Sequence, residues 1–190
     1  MCIRDSIVGS NILNILIILG VTAVITNVAI QTSTFRYEIP FMMVVTIILL
    51  VFGITGGEVT FVEGIIFWVL FLLYLGYLFV MAKKGTNEEE GETKDYPVWK
   101  CILFMVIGGV LVVKGSDFAV SGASAIARYF GMSERFIGLT IVALGTSLPE
   151  LVTSVTAARK GNAGIAIGNI VGSNIFNILF VIGTTALICT

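Results

Sequence analysis

Histidine is absent from this sequence of 190 residues, and charged residues, proline and cysteine are few. Without histidine the chain cannot form a Ser–His nucleophile, a His-dependent acid–base pair or an HExxH zinc site. The three cysteines, Cys2, Cys101 and Cys189, are odd in number and widely spaced, so they predict no disulfide framework. We therefore expect neither an enzyme nor a resident cofactor.

The scarcity of charge indicates where the protein resides. Charged residues make up 12% of the chain, whereas soluble domains contain about 25%, and 57% of the residues are hydrophobic. This composition predicts a membrane protein that has the lipid bilayer as a partner. The net charge of −1 gives no basis for nucleic-acid binding. Residues 1–6 do not open a convincing signal peptide, because the apolar run after them is too long.

Apolar stretches long enough to cross a bilayer lie between the charged residues. A helix of about 20 residues spans a hydrocarbon core of about 30 Å. The sequence contains six candidates, so the expected fold class is an all-α polytopic membrane protein with six transmembrane helices. The candidates are residues 7–30, 39–56, 64–82, 98–127, 136–158 and 163–189. We expect the aromatic residues of the second and third spans to face lipid, lie at the interface or pack between helices.

Basic residues are distributed unequally between the two sides of the membrane. With alternating spans, one side carries Arg36, Lys83, Lys84, Lys94, Lys100, Arg159 and Lys160, and the other carries Arg128 and Arg135, with Arg4. Because basic residues concentrate in cytoplasmic loops, the loop 83–97 and the turn 159–162 are expected in the cytoplasm. The loop is polar and acidic, which predicts a solvated linker; an ion sensor is the less favoured alternative.

An internal repeat relates the beginning of the chain to its end. Residues 7–16, IVGSNILNIL, match residues 170–179, IVGSNIFNIL, at a shift of 163 positions. Alternating spans place the first and sixth in opposite directions, so the two copies are inverted. Inverted repeats place a transport site near the bilayer midplane, between the two halves.

The repeat also predicts that the chain is a fragment. A span precedes the second copy but not the first, and two spans follow the first copy but not the second. Residues 7–82 would form the C-terminal part of a first repeat and residues 98–190 the N-terminal part of a second, joined by the linker 83–97. The match begins abruptly at Ile7, so residues 1–6 are interpreted as a non-native leader.

One carboxylate interrupts the fifth span. Glu150 has no charged neighbour between Arg135 and Arg159, and such an acid at the centre of a span costs about 2.5–3.5 kcal/mol on insertion. Pro149 must bend or open the helix beside it. Thr146 and Ser147 add hydroxyl oxygens, so the segment predicts a cation site. The alternative is a proline kink whose glutamate pairs with a neighbouring polar side chain.

Polar side chains recur every four residues in the sixth span, at Asn169, Ser173 and Asn177. Such a stripe is typical either of ligands or of close helix packing. Ser10 and Asn14 repeat it in the first span. The matching positions favour ligands, because they bring equivalent amides from both halves to a similar depth.

These motifs resemble those of a known family. GTSLPE at 145–150, followed by GNIVGSNIFN at 168–177, resembles the second alpha-repeat of Na+/Ca2+ exchangers in the cation/Ca2+ antiporter superfamily. Residues 7–20 resemble the second half of the first alpha-repeat. The resemblance implies an inverted-repeat exchanger fold of ten helices, of which this chain would supply helices three to eight. The short loop resembles that of prokaryotic members, which implies a prokaryotic inner membrane.

The resemblance also implies a set of ligands. Glu150 would be one of two acidic ligands, and the second would lie on helices of the same full-length protein that this chain lacks. The remaining ligands would be the Ala143 carbonyl and the side chains of Thr146, Ser147 and Ser173, with Asn177 beside the centre and Ser10 and Asn14 contributed by the other half. Position 177 is often acidic in relatives, so the amide implies two carboxylates instead of three.

The function implied by this resemblance is secondary antiport of Na+ against Ca2+, both of them transported ions. Calcium takes six to eight oxygen ligands at about 2.3–2.6 Å, which suits carboxylates, hydroxyls and carbonyls. A K+-dependent or H+-coupled exchanger is the nearest alternative, and the polypeptide by itself could also be inactive. An intramembrane enzyme is least favoured, because no acid pairs with Glu150 within its span.

Overall fold

The computed structural model describes residues 3–27, 30–56, 59–84 and 97–188, and within these ranges the chain is helical without any strand. We name the helices α1 to α7. They are α1 (Ile3–Leu13, Asn14–Ile18 and Leu19–Ile25), α2 (Thr34–Glu38 and Ile39–Gly56), α3 (Phe61–Lys84), α4 (Val98–Tyr129), α5 (Glu134–Ile137, Gly138–Val142 and Ala143–Thr146), α6 (Leu148–Arg159) and α7 (Ala163–Phe176, Asn177–Ile182 and Gly183–Ile188).

Five of the described helical stretches are long and apolar enough to cross a membrane. They are Ile7–Ile25, Thr34–Ile54, Phe61–Lys83, Val98–Tyr129 and Ala163–Ile188. A sixth results when the two segments Thr140–Thr146 and Leu148–Arg159, which meet at 54°, count as one broken span. The expected all-α membrane fold is confirmed. Six spans are present when this bent pair of helices is counted as one span. Most of the loop predicted at 83–97, from residue 85 to residue 96, lies outside the described residues.

The boundaries of the second span differ from the prediction. The helix includes Arg36 and Glu38, which were expected to lie before it. The exposed Arg36 side chain can reach the interface while the backbone continues into the membrane, and Glu38 is buried, so charge alone did not mark the start of the helix. A π-helical turn at Thr34–Glu38 ends two residues before Pro40, whose missing N–H would interrupt regular α-helical bonding.

The predicted interruption near Pro149 is confirmed and lies two residues upstream of the proline. Ser147 leaves the helical conformation, with φ −100° and ψ 2°, between α5 and α6. Pro149 then occupies the first turn of α6, where its missing N–H removes no intrahelical hydrogen bond. The break therefore places Glu150 in the first turn of a new helix, within the span.

The first and last spans, α1 and α7, cross in opposite directions. Residues Ile3–Leu13 pack against Asn177–Ile182, whereas Leu19–Ile25 pack against Ala163–Phe176. Both helices contain a π-helical turn, and these turns begin at Asn14 and Asn177, which are 163 positions apart. The internal repeat is thus present in the backbone as well as in the sequence. Turns of this kind are frequent at functional sites.

An apolar core lies between α2, α3 and α7, around Val45, Phe67 and Ile175. At its end α3 and α7 approach closely, since a Cβ added at Gly64 would lie 3.0 Å from the Gly183 carbonyl oxygen. Small residues permit such contacts between membrane helices. This packing fixes α7, and α7 in turn supports the polar residues described next.

Candidate cation site

Glu150 lies half-buried in the first turn of α6, where the partial positive charge of the helix N-terminus favours a carboxylate. The hydroxyl of Ser173 in α7 donates a hydrogen bond to Glu150 Oε1 at 3.1 Å. The other oxygen, Oε2, is buried and has no hydrogen-bond partner among the described residues. A buried carboxylate oxygen normally has a partner, so this atom is available to a cation.

Ser173 also connects Glu150 to the first span. Its hydroxyl oxygen accepts a hydrogen bond from Asn14 Nδ2 at 3.5 Å. Asn14 is only 1% exposed, and its Oδ1 is a second buried oxygen without a partner among the described residues. Each of the two residues bonded to the Ser173 hydroxyl, one from each repeat, thus has a buried oxygen without a partner among the described residues. Carboxylate, amide and hydroxyl oxygens are the ligands that Ca2+ prefers.

The hydroxyls before the helix break have different environments. Thr146 is exposed, and its Oγ1 lies 2.9 Å from Ser10 Oγ, with either hydroxyl able to donate. Ser147 is 5% exposed and lies at the break itself. Ala143 begins the short segment Ala143–Thr146, one turn before the break. Ser10 and Thr146 thus form a second contact between the two repeats.

Asn169 fixes the position of Glu150 through the backbone. Its Nδ2 lies 3.2 Å from the Glu150 carbonyl oxygen and 2.9 Å from the hydroxyl oxygens of both Thr153 and Ser154, so its two N–H groups are shared among three acceptors. Ser154 is 1% exposed whereas Thr153 is exposed, so this group reaches from the interior to the surface. The sequence placed Asn169 in the polar stripe, and the structure makes it the residue that ties α7 to the first turns of α6.

Four asparagines join the two repeats with internal symmetry. Asn11 Nδ2 donates to the Asn174 carbonyl oxygen at 3.4 Å, and Asn174 Nδ2 donates to the Asn11 carbonyl oxygen at 3.5 Å. Asn14 Nδ2 donates to Asn174 Oδ1, and Asn177 Nδ2 donates to Asn11 Oδ1, both at 3.0 Å. At the repeat shift of 163 positions Asn11 corresponds to Asn174 and Asn14 to Asn177. Exchanging the corresponding residues therefore turns the first bond of each of these two pairs into the second.

The structure therefore brings together only part of the expected set. Glu150, Ser173 and Asn14 form a connected line, and Ser10 contacts Thr146. Asn177 is hydrogen-bonded to Asn11. Asn11 and Asn174 were not singled out from the sequence, although both are amides in otherwise apolar spans at matching repeat positions.

The oxygen set around Glu150 suits a hard cation, but one carboxylate does not complete a Ca2+ site. Among the residues that the structure describes, no group of three or more His, Cys, Asp or Glu side chains could hold a metal. Transition-metal sites prefer nitrogen and sulfur ligands, whereas the atoms here are oxygens. The arrangement supplies part of the oxygen ligands that a Na+ ion needs. A Ca2+ ion would require further oxygens beyond these.

Comparison with known proteins identifies relatives over nearly the whole chain. The family model described as "Sodium/calcium exchanger protein" matches residues 2–80 and 100–190. The putative antiporter CaxA of Alkalimonas amylolytica is 38% identical over 187 residues, covering 95% of this chain and 58% of that protein. The sodium/calcium exchanger MaX1 of Methanosarcina acetivorans is 51% identical over 86 residues, covering 45% of this chain and 25% of that protein.

A solved structure shares the fold. The sodium-calcium exchanger NCX_Mj, soaked with 10 mM Na+ and zero Ca2+, superposes with a TM-score of 0.79 at 30% identity, covering 97% of this chain and 60% of that chain. The chain thus spans about three fifths of the length of this structure and of CaxA. The inverted-repeat exchanger fold is therefore present, in incomplete form, in the described residues.

Proposed function

The chain belongs to the sodium/calcium exchanger protein family, and from this premise we propose that it supplies one face of the ion site of an antiporter that exchanges Na+ for Ca2+. The family is one of transporters and belongs to the cation/Ca2+ antiporters. The observation that carries the proposal is Glu150 Oε2, a buried carboxylate oxygen without a partner among the described residues. An unpaired acid inside a span is expensive and is typically a functional group.

The proposed ligands come from both repeats. Glu150 provides the charge, Ser173 orients its carboxylate, and the side-chain oxygen of Asn14 adds a neutral ligand. The Ala143 carbonyl and the hydroxyls of Thr146, Ser147 and Ser10 would complete this face, with Asn177 beside it. The second acidic ligand, which the family resemblance implies, would lie on helices of the full-length protein outside this chain. In this proposal residues 7–82 and 98–190 belong to the two inverted repeats, with the linker 83–97 on the cytoplasmic side of a prokaryotic inner membrane.

In this mechanism the two cargoes compete for the same oxygens. Calcium gains more than sodium from a carboxylate in a medium of low dielectric, because the interaction scales with the charge of the ion. Several Na+ ions can replace one Ca2+ by using the hydroxyls and amides separately. Alternating access would then expose the fixed site to each side in turn, as one group of helices moves past the other.

Calcium binding to the chain itself tests the proposal. We expect Glu150→Gln to weaken equilibrium binding of radioactive Ca2+ by about tenfold or more, because a formal charge facing a divalent ion is removed. Glu63→Gln is the matched control. Glu63 also lies in the first turn of a helix, but its carboxylate already accepts hydrogen bonds from the Thr60 N–H and hydroxyl at 2.7 and 3.0 Å. Equal binding by both variants would contradict the proposal.

The coupling ion requires a flux measurement. Vesicles containing the chain, beside vesicles containing an intact relative, would be loaded with Na+, K+ or acid, and calcium uptake followed. Uptake driven by Na+ alone supports Na+/Ca2+ exchange. A requirement for K+, or uptake driven by the pH gradient, supports the corresponding alternative. Binding without flux would mean that the chain carries the site but does not transport by itself.

A further inference from the structure

A cavity lies at the ends of α2 and α3 and shares no residue with the candidate cation site. Its volume is about 270 Å³. Five of the six lining residues are aromatic or acidic: the lining consists of Tyr37, Glu38, Phe41, Leu73, Tyr74 and Tyr77. From the sequence these aromatic residues were expected to face lipid or to pack, and the cavity gives them a common surface.

The four rings form a continuous row. Phe41 and Tyr74 stack with centroids 5.4 Å apart, Tyr74 and Tyr77 stack at 6.3 Å, and Tyr77 meets Tyr37 at 6.2 Å in a tilted arrangement. Aromatic faces carry partial negative charge. Phe41, Tyr74 and Tyr77 turn faces toward one another, so a cation would meet the faces that this stacking leaves open, and such a row of rings favours a cation that is large and weakly hydrated.

Two polar groups in the same lining have no partner among the described residues. Glu38 is 8% exposed, and within the described part of the chain its carboxylate makes no hydrogen bond or ion pair. The Tyr77 hydroxyl oxygen is buried and likewise without a hydrogen-bond partner there. Buried polar groups normally pair, so this lining has capacity for one further charged or hydrogen-bonding group.

From these features we infer that the cavity binds an organic ammonium group of the ethanolamine or choline class. The ring faces bind the alkylammonium by cation–π interaction, the Glu38 carboxylate neutralises its charge, and the Tyr77 oxygen can accept an N–H. A bare Ca2+ ion would find one carboxylate and tyrosine hydroxyls here, far fewer than its six to eight oxygens. The volume suits a small head group and is below that of a typical drug-sized pocket.

The position of the cavity allows two sources of such a group. Glu38 lies near one end of the span Thr34–Ile54, and Tyr77 lies near the end of the span Phe61–Lys83 that carries Lys83. Tyrosine and lysine at a span end are typical of the membrane–water interface. The ammonium can therefore belong to a zwitterionic lipid head group or to a soluble amine, and the experiment separates them.

The lipid arm measures which phospholipid stays bound to the purified chain. The chain would be exchanged into detergent containing equal amounts of phosphatidylethanolamine and phosphatidylglycerol with the same acyl chains, and retained lipid counted by native mass spectrometry. We expect preferential retention of phosphatidylethanolamine, reduced about tenfold by Glu38→Gln and by Tyr74→Leu. Phe79→Leu is the matched control, because Phe79 lies on the same helix, is exposed and does not line the cavity.

The soluble arm uses tetramethylammonium chloride, with sodium chloride at equal concentration as reference, and follows tyrosine resonances by NMR. Shifts that vanish in Glu38→Gln, without preferential lipid retention, assign the site to a soluble amine. Tyr74→Phe keeps the ring and should bind like the parent, so the inference stays testable if Tyr74→Leu does not fold. No response in either arm, or a response unchanged by Glu38→Gln, overturns the inference.

Discussion

The contact between Asn14 and Asn174 gives the sharpest prediction about how the two repeats are held together. Both side chains are 1% exposed, and Asn14 Nδ2 donates to Asn174 Oδ1 at 3.0 Å. Replacing Asn174 by leucine leaves that amide with Ser173 alone, at 3.5 Å. A buried donor that loses its partner costs about 1–3 kcal/mol, so each single variant, Asn14→Leu or Asn174→Leu, should be destabilised by about that amount.

The double variant separates the hydrogen bond from other effects of the substitutions. Hydrogen bonds between membrane helices have coupling energies of about 0.6 kcal/mol on average and about 1.7 kcal/mol at most. We therefore expect Asn14→Leu combined with Asn174→Leu to be less destabilised than the sum of the single variants by an amount in this range. The double variant loses less unfolding free energy than that sum, because neither amide of the Asn14–Asn174 bond remains buried without the other.

Reversible unfolding in mixed micelles provides the assay. Trp68 packs against Phe180 of α7 with ring centroids 5.2 Å apart, so its fluorescence reports whether α7 is in place. As a control cycle, Asn14→Leu is combined with Thr185→Val, because the Thr185 hydroxyl donates to the Val181 carbonyl oxygen of its own helix. The control should be additive. A coupling energy of zero between Asn14 and Asn174 would refute the inter-repeat bond.

Two further predictions concern other parts of the site. Gly145→Ala would place a Cβ against the side chain of Val120, so it should cost about 1–3 kcal/mol of unfolding free energy, and adding Val120→Ala should recover most of the loss. A double variant as unstable as Gly145→Ala alone would contradict this contact. Asn177→Asp replaces an N–H donor to Asn11 Oδ1 by an acceptor. The variant should therefore lose this bond and about 1–3 kcal/mol of unfolding free energy at neutral pH, because the Asn11 oxygen is left without its donor and faces a carboxylate; an unfolding midpoint equal to that of the parent would contradict the bond.

Local features of the sequence determined the class of the protein and most of its spans. Hydropathy and span length depend only on neighbouring residues, which is why the helices were found close to their expected bounds. The interruption before Glu150 was also predictable, since Pro149 lacks an N–H wherever it stands. The second span shows the limit of such reasoning. Arg36 and Glu38 lie inside it, because the exposed Arg36 side chain can reach the interface from a continuing helix and Glu38 is buried beside the next span.

The tertiary structure alone decided which polar side chains meet. The match at a shift of 163 positions predicted that equivalent amides approach one another, but it did not show that Asn11 and Asn174 pair reciprocally. It also did not show that Asn177 bonds to Asn11. These contacts depend on the angle and depth at which α1 and α7 cross, and that geometry is set by packing among α2, α3 and α7.

The same reason explains the cavity at Glu38. A carboxylate near the start of one span and tyrosines near the end of the next carry no local signal that they share a surface. Hydropathy records how each residue prefers lipid over water, and it does so one residue at a time. Which residues become neighbours is a property of helices packed side by side, because partners distant in sequence are chosen by shape and by the pairing of buried polar groups.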